Sequence, residues 1–153
     1  MAPLPRTCAT CVNDGGPVLG CTETSVITVT GTIEHGIGDW RPRMTRFPEV
    51  FRRATGEELF PGTLNVRIDA PLPIEAEIRI SGAEIGEPEQ DVLLERCRIN
   101  GIRAYRLRPF QPATGAGGHG DHILEIVCTQ ELRPLLSGSD TVVVEFPRGA
   151  AER

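Results

Sequence analysis

The segment Gly62-Thr63-Leu64-Asn65 places two small polar side chains at the start of an alternating, strand-forming sequence. In a strand, Thr63 and Asn65 project from the same face, roughly 6.5 to 7 Å apart. Both offer neutral oxygen atoms, which suit a Mg²⁺ ion that keeps several waters and also contacts phosphate. Asn65 is in addition a poor strand former. The alternative is that both side chains hydrogen-bond a neighbouring turn, and spacing alone leaves both interpretations open.

Two other groups of residues offer metal-ligand types. Cys8 and Cys11, in Cys-x-x-Cys spacing, supply three thiolates together with Cys21, a set that suits zinc. His119 and His122 lie close together in a glycine-rich segment and could bind a transition metal. A fourth ligand is not visible for either group. The alternatives are a loosely ordered N-terminal extension for the cysteines and exposed loop positions for the histidines.

The charged residues limit the possible partners. The chain of 153 residues has 16 basic residues, all of them arginine, against 21 acidic ones, giving a net charge of -5. This balance argues against nucleic acid as a partner. The absence of lysine excludes a Walker-type phosphate loop. Any phosphate must therefore be held by guanidinium groups, backbone N–H groups or a metal.

Arginines are concentrated in one predicted hairpin, "RCRINGIRAYRLR", which contains Arg96, Arg98, Arg103, Arg106 and Arg108. Alternate positions of a strand share a face, so some of these side chains could attract a phosphorylated ligand. The alternative is a solvated outer face whose arginines pair with acidic residues.

The sequence contains no apolar run of about 20 residues, the length that would span a bilayer. Its first residues, "MAPLPRTCATC", lack the apolar segment of a secretory signal. The five cysteines are odd in number and irregularly spaced, unlike a secreted disulfide framework. We therefore expect a cytoplasmic protein with no membrane partner, and a monomer is favoured.

Period-2 alternation of apolar and polar residues predicts most of the elements. A first strand is expected over residues 25–34, with Gly31 marking a bulge or a close backbone approach. Further strands are expected in "TLNVRID", "AEIRISG", "DVLLERCRI", "IRAYRLRPF", "HILEIVC" and "DTVVVEF", with Asn100-Gly101 as a tight hairpin turn. Short helices are expected in "FPEVFRRATG", which begins at Pro48 and ends at a Gly56 cap, and in "TQELRPLL", capped by Thr129.

These elements predict a mainly β fold, a small closed barrel of about six strands with two short helices, because closure removes exposed strand edges. The predicted domain covers residues 23–147. Residues 1–22 form an N-terminal extension and residues 148–153 a tail. The glycine-rich segments 36–46 and 114–121 are predicted loops, where glycine allows successive N–H groups to point at one anion.

The order of several motifs resembles one known family. "GTIEHGIGDW", "FPEVFRRATGEELFPGTLNVRID", "ILEIVCTQELRPLL" and "SDTVVVEF" are similar to the CTP-dependent riboflavin kinases typical of archaea, from about residue 31 to residue 146. The most specific part is a helix containing phenylalanine, a glycine, an acidic-aromatic turn and then Gly-Thr-Leu-Asn. The resemblance implies a cradle-loop β-barrel.

The resemblance also implies a role for individual residues. Thr63 and Asn65 match ligands of Mg²⁺, the expected cofactor. Glu125 matches a carboxylate that contacts the flavin. Gly117 stands at the position of the family's flavin-contacting threonine, and Thr114 could reach the same place. Two segments match the nucleotide site: Ile37, Gly38, Asp39, Trp40 and Arg41 on a phosphate-binding loop, and Gln130, Glu131, Leu132 and Arg133 after the later strand.

The implied reaction transfers the γ-phosphoryl group of CTP to the ribityl 5′-hydroxyl of riboflavin, giving FMN. Asn65 and Glu125 are the expected catalytic residues, with Glu125 as the nominated base and a solvent-facing strand position as its alternative. Two other functions remain open: a non-catalytic flavin- or nucleotide-binding relative, and a barrel-type DNA-binding regulator. The first is favoured by Trp40 and Gly117, which depart from the family pattern at two sites.

Overall fold

The structure, a computed structural model, describes residues 24–34, 40–110, 121–136 and 138–149. The chain divides into two compact units. Residues 28–146 form one unit, which contains the barrel and the candidate site. The other comprises residues 1–27 and 147–153, of which the structure describes only the first residues of one strand and the last residues of another. The extension over residues 1–22 and its three cysteines lie outside the described residues, and the predicted domain bounds stay a prediction.

Seven strands and three α-helices are described. The strands are β1 (Thr24–Glu34), β2 (Leu64–Ile68), β3 (Ile78–Ile80), β4 (Asp91–Ile99), β5 (Ile102–Phe110), β6 (Ile123–Val127) and β7 (Thr141–Gly149). The helices are α1 (Trp40–Arg46), α2 (Pro48–Thr55) and α3 (Leu132–Leu135), with one 3₁₀ helix, Gly82–Ile85.

Six of the strands close into a barrel. The order β4-β5-β6-β2-β1-β7 closes because β7 pairs with β4, and β3 adds to the other edge of β4. The connection between β4 and β5 is the predicted hairpin turn, in which both Asn100 and Gly101 have positive φ, 48° and 85°. Two positive φ values are what a type I′ turn requires. The predicted mainly β, closed-barrel fold is therefore confirmed.

Strands β2, β4, β5 and β6 carry buried residues on both faces. On one face the helices pack, so Trp40, Met44 and Phe51 join Leu107 and Val127 in one apolar cluster. On the opposite face of the same strands lie Leu64, Ile126, Arg106 and Glu95, which the register places side by side. All four of these side chains are buried.

The buried guanidinium of Arg106 is part of a charged group inside the fold. Its Nη2 lies 3.8 Å from Asp121 Oδ1, and Arg108 Nη1 lies 3.6 Å from the same oxygen. Glu95 accepts a hydrogen bond of 3.1 Å from the Glu75 backbone N–H. Buried charges remain stable only with such partners, since desolvation penalises each ion strongly. These contacts connect Asp121, which precedes β6, to strand β5.

Three details differ from the sequence-based expectation. Residues 40–46 form helix α1 and not part of a loop, because Trp40 and Met44 are four residues apart and both are buried. Helix α3 begins after Glu131, and Thr129 does not cap it. Strand β7 continues through Gly149, beyond the predicted strand end. Helix α2 begins at Pro48 and is capped by Gly56 at φ 80°, as expected.

Gly31 lets two strands approach closely. It pairs with Ile68 of β2, and a Cβ atom at Gly31 would meet the Val66 side chain and would lie 2.7 Å from the Arg67 carbonyl oxygen. Because a backbone oxygen cannot move away without shifting the strand, this position tolerates no side chain. The close approach that the sequence predicted is confirmed.

We expect Gly31→Val to destabilise the protein by roughly 1–3 kcal/mol, the usual effect of overpacking a tight interior. Urea unfolding followed by circular dichroism measures the change. Thr32→Val is the matched control, because Thr32 is the exposed neighbour on the same strand. Equal free energies of unfolding for the two variants would contradict the strand contact.

Candidate active site

A cavity of about 90 Å³ lies at one end of strands β2 and β6. Three segments that are distant in sequence line it. Arg41 comes from helix α1, a second group from the turn before β2, and a third from the end of β6 and the segment that follows it. The lining residues are Arg41, Phe60, Pro61, Gly62, Thr63, Leu64, Ile126, Val127, Cys128, Gln130, Glu131, Leu132 and Arg133.

The strand register explains why these segments meet. Leu64 pairs with Ile126, so the residues just before β2 lie beside those just after β6. The backbone N–H of Phe60 donates to the Cys128 carbonyl oxygen at 2.8 Å. The Cys128 thiol then donates to the Gln130 carbonyl oxygen at 3.1 Å and accepts from the Gln130 N–H at 3.3 Å. This turn directs the following residues, Gln130 to Arg133, along the cavity.

Gly62 forms the turn that leads into β2. Its φ of 119° lies in a region that residues with a side chain avoid. Its N–H donates to the Met44 sulfur of helix α1 at 3.3 Å. A Cβ atom at Gly62 would lie 3.5 Å from Nη2 of Arg41, an ordinary van der Waals distance, so the guanidinium packs beside this turn. Glycine is therefore required here for its backbone conformation.

Asn65 and Glu125 form a polar pair beside the cavity. They are directly opposite each other in the β2–β6 register, and each side chain is 7% exposed. The Thr63 hydroxyl lies 3.5 Å from Glu125 Oε1, a long donor contact. Thr63 lines the cavity, whereas Asn65 and Glu125 are not among its lining residues. The sequence had predicted that Thr63 and Asn65 share a face, and the structure adds Glu125 to that face.

The donor set of this pair and Thr63 fits a magnesium ion. A hydroxyl, a carboxamide and a carboxylate are the hard oxygen ligands that Mg²⁺ prefers, and such a site leaves several positions for water and phosphate. Within the part of the chain that the structure describes, no three His, Cys, Asp or Glu side chains converge as a metal site. Thr63, Asn65 and Glu125 would offer such an ion two neutral oxygens and one carboxylate.

The other residues predicted for the nucleotide and flavin sites either lie outside the described part of the chain or are not among the cavity-lining residues. Ile37, Gly38 and Asp39, and likewise Thr114 and Gly117, lie outside the described residues. Trp40 begins helix α1, and its side chain is 3% exposed within the apolar cluster, with the Arg43 guanidinium 4.7 Å from its ring centroid. The Trp40 side chain therefore serves packing and does not reach the cavity.

The two described cysteines are free and buried. Burial raises the pKa of the Cys97 thiol strongly. It also raises the pKa of Cys128, although the hydrogen bond from the Gln130 backbone opposes the shift. Both therefore remain thiols at neutral pH, and Cys128 shapes the cavity through hydrogen bonds and not as a thiolate.

Most arginines of the β4–β5 hairpin have acidic partners. Arg96 pairs with Glu77 at 2.8 Å, and Arg103 pairs with Glu57 at 2.8 Å. Arg106 and Arg108 both approach Asp121. The exposed pairs of Arg96 and Arg103 agree with a solvated face whose arginines pair with acidic residues. Arg106 is instead buried on the opposite face of β5 and does not belong to that surface.

Sequence patterns suggested no role at the site for Phe60, Glu57 or Tyr105. Phe60 lies in a predicted turn, although an aromatic residue directly before Pro61-Gly62 is an unusual turn residue. The Tyr105 hydroxyl donates to Glu57 Oε2 at 2.8 Å and lies 3.4 Å from the Thr55 carbonyl oxygen. Burial, and then this hydrogen bond, raise the pKa of Tyr105 to about 12. The contact fixes the chain as it leaves α2 towards Phe60.

The chain is similar to two curated riboflavin kinases from archaea. It is 28% identical over 137 residues to that of Thermofilum pendens, and the match covers 81% of this chain and 60% of that protein. It is 29% identical over 123 residues to that of Staphylothermus marinus, covering 78% of this chain and 90% of that protein. The chain therefore spans less than two thirds of the first relative's length. No protein-family model matches the chain.

These likenesses support a relationship to riboflavin kinases, and they run over most of the barrel. They do not identify the phosphate donor. Among the described residues, no helix combines the length and the apolar character needed to cross a bilayer.

We expect Tyr105→Phe to cost about 1 kcal/mol at pH 7, the usual contribution of one buried hydrogen bond. Because the folded state raises the pKa of Tyr105 to about 12, the neutral phenol is favoured by folding and its contribution is complete below pH 10. It is lost as pH rises from about 10, the unfolded value, to about 12. Chemical unfolding at pH 7, 9 and 11 should show the gap between wild type and variant narrowing. A gap that widens with pH would contradict the assignment.

Proposed function

We propose that the protein is a riboflavin kinase that transfers the γ-phosphoryl group of CTP to the ribityl 5′-hydroxyl of riboflavin, giving FMN, with Mg²⁺ as cofactor. The observation that carries the proposal is the meeting of Arg41, Thr63 and the segment 130–133 around one cavity, next to the Asn65–Glu125 pair. The similarity to two riboflavin kinases supports the same substrate.

The cavity suits the phosphate end of a nucleotide. Its volume of about 90 Å³ is far below the roughly 300–1,000 Å³ of sites that enclose a whole small molecule. Its lining residues include two arginines, Arg41 and Arg133, and one acidic residue, Glu131. Guanidinium groups bind phosphate through paired N–H donors. We therefore assign the phosphate chain to the cavity and the rest of the nucleotide to the surface around it.

Magnesium would be held by Thr63 and Asn65, with Glu125 alongside. When bound, it would neutralise charge on the phosphate oxygens, which a chain without lysine must otherwise do with arginine alone. The partial burial of Asn65 and Glu125 strengthens their electrostatic effect, because less water screens them.

In this proposal, strand β6 runs from the site of the phosphate donor, CTP, to that of the acceptor, riboflavin. Its residue Val127 is at the cavity end, and its residue Ile123 is at the end that follows residues 111–120, where the flavin contacts are predicted. Glu125 lies midway, roughly 7 Å from each. A carboxylate there can accept the proton of the 5′-hydroxyl while that oxygen bonds to the γ-phosphorus. The bond from the γ-phosphorus to the bridging oxygen then breaks and CDP leaves.

A non-catalytic flavin- or nucleotide-binding protein is the second candidate. The specific observation in its favour is that Asn65 and Glu125 are each only 7% exposed and do not line the cavity. Saturable binding of riboflavin or CTP without formation of FMN would select it. The acidic pairing of the hairpin arginines counts against a DNA-binding regulator.

We expect the protein to convert riboflavin to FMN with Mg²⁺ and CTP, and to do so with a higher kcat/KM than with ATP. Asn65→Ala should lower kcat by about 10²–10³-fold, the usual loss when one group that stabilises transition-state charge is removed. Chromatographic detection of FMN measures both effects.

The matched control is Thr32→Ala, an exposed position on the neighbouring strand. It should keep the wild-type rate, and both variants should keep the far-UV spectrum of the barrel. No FMN with any nucleoside triphosphate would overturn the kinase assignment. An active Asn65→Ala variant would overturn only the role given to Asn65.

A further inference from the structure

We infer that Phe60 is a positioning residue that holds the Arg41 guanidinium in place for the phosphate chain. The inference rests on the proposed function, because it concerns the same cavity. It adds a residue to which neither the resemblance nor the two relatives assign a role.

The geometry places three groups in one stack. The Arg41 guanidinium carbon lies 5.6 Å from the centre of the Phe60 ring, within the range of a cation–π contact. The same guanidinium lies beside the Gly62 turn, where a Cβ atom would be 3.5 Å from it, an ordinary van der Waals distance. Arg41 is an exposed side chain, so without the contact with the ring it would sample many rotamers. The ring therefore favours one orientation of the guanidinium.

Residue Phe60 is held in place at its backbone. Its backbone N–H is bound to the Cys128 carbonyl oxygen at the end of β6, and the ring is half-buried at the cavity wall. Gly62, two residues after Phe60, donates a hydrogen bond to the Met44 sulfur of helix α1, which also carries Arg41. These contacts hold the Phe60 ring and the Arg41 guanidinium in fixed positions relative to β6 and α1. A pre-positioned cation loses less conformational entropy when it binds phosphate.

The test is a double-mutant cycle on binding of Mg²⁺–CTP and of inorganic pyrophosphate, measured by titration calorimetry. Phe60→Leu should weaken both by about two- to five-fold, the range expected for one exposed cation–π contact. Arg41→Gln should weaken both by about ten-fold or more, as loss of a charge-assisted contact does. In the Arg41→Gln background, Phe60→Leu should have no further effect. Phe60→Tyr, which keeps the aromatic face, should bind within about two-fold of wild type.

Phe110→Leu is the matched control. Phe110 is also half-buried and lies 5.1 Å under a guanidinium, that of Arg79, yet it does not line the cavity. It should leave both affinities unchanged. Thermal unfolding checks that each variant folds. Phe60→Met, whose flexible unbranched side chain fills irregular space, replaces Phe60→Leu should the latter not fold.

The outcomes separate the two proposals. If Phe60→Leu weakens binding equally with and without Arg41, or not at all, the positioning role is overturned while the kinase assignment stands. If the two residues are coupled but no FMN forms, the kinase assignment is overturned and the positioning role stands. If wild type binds neither CTP nor pyrophosphate, both are overturned.

Discussion

The candidate site depends on the antiparallel register between β2 and β6. This register sets Leu64 opposite Ile126 and, one step further, Asn65 opposite Glu125. Because side chains alternate between faces, a slip of one residue would exchange the buried apolar set for the polar pair. The apolar burial of Val66, Leu124 and Ile126, each fully inaccessible, opposes such a slip. Apolar packing in the barrel interior thus fixes the positions of Asn65 and Glu125, although these two side chains lie on the opposite face of the strands.

The elements that sequence predicted well are those governed by local chemistry. Asn100-Gly101 supplies the two positive φ values of a tight hairpin, and Gly56 supplies the left-handed cap of α2. Helix α1 was missed because glycines before it suggested a loop, although Trp40 and Met44 have helical spacing. The N-terminus of α3 was misplaced because the Cys128 thiol, and not the Thr129 hydroxyl, bonds the turn. At α1 tertiary burial outweighed the local signal, whereas at α3 one local hydrogen bond replaced another.

The site was predictable only in part. Strand alternation predicted that Thr63 and Asn65 share a face, and the register places Glu125 opposite Asn65. Family resemblance selected Arg41 and residues 130–133, but nothing in the sequence states that they border the same cavity as Thr63. That arrangement follows from the pairing of β2 with β6 and from the packing of α1 against the turn before β2. Phe60 had no local signal strong enough to mark it, because its role comes from a contact with a distant arginine.

The absence of lysine explains why an aromatic ring beside Arg41 matters for phosphate binding. A lysine ammonium is a flexible point charge that can find a phosphate by itself, whereas a guanidinium binds best when its plane is oriented. A chain in which all 16 basic residues are arginine therefore needs structure to orient its phosphate-binding cation. An aromatic face against the guanidinium supplies that orientation without adding another charge. The Arg41 side chain then loses its conformational entropy during folding, so less is lost when the ligand binds.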